Sequence, residues 1–220
     1  MHIHPLKGKL DSVKEFFLEL FTITCGILIA LSLEGTVEWV HHRHLLHEAR
    51  GNILSELQEN RRTIASTAKE IPAELGNLQR MMSFCRQERS HRGSVDLDTA
   101  KKNVSLNFTT GTISATSWST AQSAGAINLM DYEEINRYTI IYALQTETAA
   151  LARQTLDKWL QVQRVGGLLT GRPNLKDLSD SDIADIERSA SEAFSYTSAL
   201  QGMEQSLEAQ YVKLMDSPKK

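Results

Sequence analysis

The sequence predicts an all-α protein with an N-terminal transmembrane helix that continues into a long helix and packs with two further long helices as an extended bundle or coiled coil. Two observations predict this class. Residues 16–33 form an almost uninterrupted apolar run in which Glu19 is the only charge. Three later segments repeat apolar residues every three or four positions, the spacing of one helix face.

The apolar run is long enough to cross a bilayer. A helix of about 18–20 residues, rising about 1.5 Å per residue, spans a hydrocarbon core of about 30 Å. We therefore predict a short basic leader at 1–15 and a single-pass transmembrane helix at 16–37, with the lipid bilayer as the first partner.

A cleavable secretory signal is the strongest competing interpretation, and a helix that lies in the membrane interface is a further alternative. The leader carries three lysines, and Ala30-Leu31-Ser32 has the small-x-small form of a cleavage site. Three features favour retention: the capping-box spacing of Ser12 and Glu15, a helical pattern that continues past the cleavage site, and Trp39 at the expected membrane surface.

Orientation follows from the lysines and arginines beside the span. Lys7, Lys9 and Lys14 lie on the N-terminal side, against Arg43 and Arg50 on the other. The positive-inside rule then predicts a cytoplasmic N-terminus and a periplasmic bundle. Cys25 and Cys85 lie in the span and far beyond it, so no disulfide framework is expected.

One stripe of the membrane helix is built from small and polar residues at spacings of three and four. Small residues let two helices approach closely in lipid, so this stripe predicts self-association and a homo-oligomer. Glu19 either lines a polar axis or reaches the headgroups from the end of the span. The stripe comprises Glu19, Thr22, Gly26, Ala30 and Glu34.

A juxtamembrane long helix is predicted at 38–89. Its apolar residues follow the a/d rhythm of a coiled-coil seam, with a kink or break at Pro72. If continuous, the first helix would be about 110 Å long. The seam residues are Leu46, Ile53, Leu57, Ile64, Ile71, Leu75, Leu78 and Met82.

Residues 90–130 read as loop and short helices. We expect a short helix near 98–103 and another at 117–122 that ends at Gly125. Residues 104–113 alternate briefly between apolar and polar, which leaves a short hairpin as an alternative.

Residues 131–216 predict two long helices that complete the bundle. The first opens at Asp131 and Glu134, ends at Gly166-Gly167 and is followed by a loop at 168–178. The second opens at Ser179 and Asp182 and ends before Ser217-Pro218. Their apolar stripes are Ile135, Tyr138, Tyr142, Ala149, Ala152, Leu156 and Trp159, then Ile183, Ile186, Ala190, Ala193, Thr197, Leu200, Leu207, Tyr211 and Leu214.

Four histidines follow Trp39. On a helix His41, His44 and Glu48 share a face, and histidine with carboxylate can bind a transition metal. This spacing is less specific than a paired motif, so we assign no metal site and interpret the histidines as residues of the headgroup region.

No phosphate loop, nucleophile elbow or zinc signature occurs in the sequence, so we expect neither an enzyme nor a cofactor. The net charge of −3 gives no electrostatic support for nucleic-acid binding. Trp118 and Gly125 form a separate element, either a packing plug over one end of the bundle or a binding site for an unidentified protein partner.

Two stretches resemble a bacterial family of membrane-anchored proteins of unknown function. Gly26 to Leu31 reads GILIAL and is followed by Trp39 and a His/Arg-rich run. Trp118 with Gly125 is similar to that family's Trp-x6-Gly element. Val37-Glu38-Trp39-Val40 departs from the polar Asn-Trp-Asn segment of the family. The resemblance implies a bacterial inner-membrane protein and no known activity.

The leading functional hypothesis is a non-enzymatic protein that self-associates in the membrane and presents its bundle for protein interaction or scaffolding. The alternatives are an oligomeric pore lined by Glu19, Thr22 and Glu34, and a ligand-sensing bundle that works with a separate output partner.

Overall fold

Five α-helices and one 3₁₀ turn make up the part of the chain that the computed structural model describes, residues 9–93, 108–171 and 178–216. They are α1 (Lys9–Thr67), α2 (Ile71–Ser90), α3 (Thr116–Ser123), the 3₁₀ turn (Ala126–Leu129), α4 (Tyr132–Gly171) and α5 (Asp180–Met215). These residues contain no strand, so the all-α prediction is confirmed.

The first two helices are separated by a break of three residues, 68–70. The Ala68 N–H still donates to the Ile64 carbonyl, at 2.9 Å, which closes the last turn of α1. Pro72 stands in the first turn of α2, where its missing N–H costs nothing. The predicted break is confirmed, and a single continuous helix is not formed.

The last helix runs antiparallel to both α1 and α2. Arg61 on α1 pairs with Glu208, at 2.7 Å, and Arg89 on α2 pairs with Glu187. Residue numbers therefore rise along α1 and α2 as they fall along α5. Both helices pack against α5, and α2 continues in the direction of α1.

The third long helix, α4, packs antiparallel to α5. The Gln145 amide donates to the Tyr211 hydroxyl, and the Trp159 indole N–H donates to the Thr197 hydroxyl, each at 2.9 Å. The end of α1 together with α2, α4 and α5 therefore forms a three-helix bundle.

The bundle core consists of two apolar clusters. The cluster nearer the start of the bundle contains Ile53, Leu57, Trp118, Tyr142 and Leu207, among others. The far cluster contains Leu78, Met81, Trp159 and Ile186, among others. Between them lies a level of buried polar side chains that includes Thr67, Glu74 and Glu204.

Of three helix boundaries compared with the prediction, one matches and two differ. The last helix begins as predicted, with a capping box between Ser179 and Asp182. However, α1 begins at Lys9 rather than Ser12, and α4 continues through Gly166-Gly167 to Gly171. Glycine costs only about 1 kcal/mol in a helix interior, which neighbouring turns can offset.

The seam of α2 contains the predicted Ile71 and Leu78, which are buried, but two of its positions lie one residue before the predicted ones. Glu74 and Met81 are buried, whereas Leu75 and Met82 are only half-buried. Leu75 is apolar and Glu74 is charged, so the sequence pattern predicts that Leu75 is buried. The position of α5 decides which face of α2 is buried, and it buries Glu74. Packing against α5 also decides which face of α4 is buried. That face contains Gln145, Thr148 and Thr155, whereas the predicted Ala149, Ala152 and Leu156 are half-buried.

Residues 108–115 form an irregular segment that runs back along the helices, not the alternative hairpin. The Phe108 ring stacks on Trp159 at 5.5 Å between centroids, and the Ser114 N–H donates to the Asn60 side chain at 2.9 Å. The short helix expected near 98–103, and the start of the hairpin, lie outside the described residues.

Candidate functional site

The described part of α1 before residue 45 has no partner within the chain. Every side chain from 13 to 44 is exposed except Cys25, which is half-buried. This part contains the one helix in the described residues that is long and apolar enough to cross a membrane, with a mean hydropathy of 2.2 in its most apolar window. Its apolar side chains include Phe17 and Leu18, which are 62% and 71% exposed.

The hydroxyls of this exposed helix are satisfied by the helix itself. Thr22, Thr24, Ser32 and Thr36 each donate to the carbonyl four residues earlier, at 2.7–2.8 Å. A hydroxyl bonded in this way carries little desolvation cost in an apolar medium, so these residues are compatible with burial in lipid.

The predicted association stripe lies along this helix. A side chain added at Gly26 would meet no atom within 4 Å, so the surface beside it is open to a second helix. Thr22 uses its hydroxyl proton within its own helix, at 2.8 Å from the Leu18 carbonyl. Glu19, Ala30 and Glu34 are exposed on the same helix.

The histidine segment follows directly. The His42 ring lies 3.8 Å from Glu38, and His44 lies 3.9 Å from Glu48. His41 contacts the His42 ring, 6.3 Å between centroids, and is not brought together with His44 and Glu48 into one cluster. Among the residues that the structure describes, no group of three His, Cys, Asp or Glu could hold a metal ion.

An interfacial arrangement surrounds Trp39. The Arg43 guanidinium lies over the Trp39 ring, 5.4 Å from its centroid. Both side chains combine an apolar body with a polar end, the composition found where a helix leaves the hydrocarbon region.

Trp118 packs at the start of the bundle. Its ring is 8% exposed and stacks on Tyr142, with 5.3 Å between centroids and an angle of 11° between the rings. Gly125 ends the element in the left-handed conformation, with φ at 73°, which glycine adopts without strain. This geometry favours the packing interpretation of the element over the partner-binding one.

Beside Trp118, Glu56 organises a polar network that the sequence did not indicate. It accepts hydrogen bonds from the Ser117 N–H, the Tyr142 hydroxyl and the Ser114 hydroxyl, at 2.7–2.9 Å. Burial opposes ionisation of Glu56, but these donors together outweigh it and lower the pKa of the carboxyl. An open cleft of about 380 Å³ adjoins the network, lined by Asn52, Ser55, Glu56, Glu59, Asn60, Thr63, Thr112, Ser114 and Ser117.

Two further carboxyls, Glu74 and Glu204, are almost fully buried, at 3% and 5% exposed. Burial raises the pKa of both, and in Glu204, where the Glu74 charge adds to burial, it reaches about 7. The sequence contained a signal for both. Each occupies a seam position between apolar residues, where a charged side chain is unusual.

Comparison with known proteins gives no match: no family model, no curated protein and no solved structure is similar to this chain.

Proposed function

We propose that the chain is a single-pass protein of the bacterial inner membrane that self-associates through its membrane helix and presents a helical bundle for protein contact. The observation that carries this proposal is the exposed apolar part of α1. Its side chains are uncovered from residue 13 to 44, whereas the same helix is packed into the bundle from Leu45 onward.

Water is an unfavourable environment for this surface. Each buried CH₂ group contributes about 0.8 kcal/mol, so the largely apolar run at 16–33 gains far more in lipid than it costs to insert. Lipid covers a single helix uniformly, but the stripe of Thr22, Gly26 and Ala30 suits close contact with a second copy.

The non-enzymatic part of the proposal rests on chemistry. Glu56 already accepts three hydrogen bonds within the bundle, and the thiol of Cys85 is fully buried with its pKa raised by burial to about 12. Neither is poised to attack or to transfer a proton to a bound substrate.

Membrane extraction tests the anchor. We expect the full-length protein, expressed in a bacterium, to stay with the membrane pellet at alkaline pH and to keep its original N-terminus. Release into the supernatant, or an N-terminus that begins after Ser32, would instead support the secretory signal.

Self-association is tested with variants on and off the stripe. We expect Gly26→Leu to weaken dimerisation by about tenfold or more in lipid, measured by energy transfer between labelled copies in liposomes. Ile27→Leu, which lies off the stripe, is the matched control. Equal association of Gly26→Leu and the control would reject the stripe while leaving the anchor intact.

The same liposomes separate the alternatives. Ion flux that is lost in Glu19→Leu would replace the scaffold with a pore. Crosslinking of the bundle to a partner only in the presence of a ligand would replace it with a sensing role.

A further inference from the structure

The two apolar clusters of the bundle meet at a polar level where the chain is also broken. Thr67 is the last residue of α1, and Glu74 lies in the first turn of α2, on either side of residues 68–70. Glu204 on α5 faces this joint. All three side chains are at least 95% buried.

Among the described residues, each carboxyl has at most one donor. The Thr67 hydroxyl lies 3.2 Å from Glu204 Oε1, but it also lies 3.0 Å from the Ile64 carbonyl, which competes for its single proton. The Thr109 N–H donates to Glu74 Oε1 at 2.9 Å. In the described part of the chain, the second oxygen of each carboxyl, Oε2, is buried without a hydrogen-bond partner. An ionised carboxylate with an unpaired buried oxygen carries the full desolvation cost of that atom.

Within residues 9–93, 108–171 and 178–216, neither carboxyl forms an ion pair, and Lys69 in the break is exposed to solvent. At the joint itself Glu70 adds a further negative charge beside Glu74. The segment 108–115 contributes a backbone N–H, from Thr109. On the neighbouring turns, Arg61 of α1 is paired with Glu208 of α5.

The remaining helix, α4, also faces this level. None of its buried side chains that the structure describes is charged. Between its cross-bonds to Tyr211 and Thr197, it contributes the buried hydroxyls of Thr148 and Thr155. Both hydroxyls donate to carbonyls of α4 itself, at 2.7 and 2.8 Å. Neither proton is therefore available to the two glutamates.

We propose that Glu74 and Glu204 form a proton-binding pair that holds the joint between α1 and α2 against α5, so that loss of the proton loosens the middle of the bundle. This inference concerns the bundle alone and is independent of the membrane assignment.

The chemistry is a single proton equilibrium. Binding one proton forms an O–H bond on one carboxyl, removes one of two neighbouring negative charges and leaves one fewer buried anionic oxygen without a hydrogen-bond partner among the described residues. Releasing the proton to solvent leaves two like charges between two apolar clusters. The joint is the place to yield, because residues 68–70 interrupt the helix there.

Infrared spectroscopy of the full chain in detergent micelles tests the protonation directly. We expect a carboxylic-acid carbonyl band at about pH 6 that disappears by about pH 8 and is absent from Glu204→Gln. No such band in the wild-type protein at pH 6, or the same band in Glu204→Gln, would overturn the proposal.

Hydrogen exchange tests the coupling to the joint. After correction for the intrinsic exchange rate, we expect the protection of amides around residues 64–75 to fall by about tenfold between pH 6 and pH 8. Glu204→Gln and Glu74→Gln should remove this fall. Glu192→Gln should keep it, because this half-buried carboxyl of the same helix pairs with Lys158 and not with the joint. A fall that persists unchanged in both pair variants would overturn the proposal even if one variant is less stable.

Discussion

At the scale of single residues, the stacked Trp118 and Tyr142 rings make a contribution to stability that truncation can test. Trp118 is a large apolar ring that contacts both Tyr142 and Tyr138, with centroids 5.3 and 5.9 Å away. Removing such a ring leaves a cavity in addition to the lost apolar burial.

We expect Trp118→Ala to lower the free energy of unfolding of the bundle by about 3–5 kcal/mol. Thermal unfolding followed by circular dichroism in detergent measures this, with Trp118→Phe as a control that keeps part of the stacked area. An unchanged melting temperature in Trp118→Ala would instead support an exposed partner contact.

Glu204 and Glu56 are expected to make the stability of the bundle respond to pH in opposite directions. Glu204 has its pKa raised from its usual 4.5 to about 7, by burial first and by the Glu74 charge. Its stabilising contribution is therefore present below pH 4.5 and is lost as the pH rises through 7. Glu56 has a lowered pKa, so its contribution is present above its usual pKa and is lost on acidification.

We accordingly expect maximal stability at mildly acidic pH, with a loss of up to about 3 kcal/mol on going to alkaline pH. Denaturant unfolding of the full chain at several pH values measures this loss. Glu204→Gln should abolish most of the alkaline loss, and a wild-type protein equally stable at pH 5 and pH 8 would contradict the prediction.

At the scale of elements, the irregular segment 108–115 depends on close approach to α1. Gly111 lies against Thr63 and Thr67, and a Cβ added there would meet the Thr63 methyl well inside van der Waals contact. Gly202, in the middle of α5, is the opposite case, because an added Cβ meets no atom within 4 Å.

These two glycines form a matched pair of substitutions. We expect Gly111→Ala to destabilise the bundle by about 1–3 kcal/mol through overpacking. Gly202→Ala should be neutral or stabilise it by up to about 1 kcal/mol, because alanine is the better helix former. If the melting temperatures of both variants shift in the same direction, the close contact between Gly111 and α1 is contradicted.

At the scale of the whole molecule, orientation decides which partners can reach the bundle. Cys85 is fully buried and cannot report on it. Ser206 is exposed on α5, so a cysteine placed there is accessible, and Cys25→Ala removes the thiol within the span.

We expect the cysteine of the Cys25→Ala, Ser206→Cys variant to react with a membrane-impermeant maleimide in cells with a permeable outer membrane. The lysines of the leader favour a cytoplasmic N-terminus, which would put the bundle on the other side of the membrane. Ser12→Cys, in the leader, should react only after the inner membrane is lysed. The reverse pattern would place the bundle in the cytoplasm.

The sequence determined the features that depend on local patterns. The almost uninterrupted apolar run at 16–33, a proline in the first turn of α2, the capping box of Ser179 and the glycine at 125 each act through their own neighbours in the chain. For this reason the helical class, the break, the start of α5 and the end of α3 were predictable. The family resemblance and the role of the membrane stripe stay predictions.

Only the tertiary structure decided which face of each helix is buried. Leu75 and Glu74 are adjacent, and the sequence pattern favours the apolar one, but the position of α5 buries Glu74. The same holds for Glu56, whose donors come from residues about 60 and 86 positions away. The seam positions of Glu74 and Glu204 are visible in the sequence, but burial and long-range hydrogen bonds arise from the packing of distant segments. The shifts in the pKa of these carboxyls therefore follow only from the assembled helices.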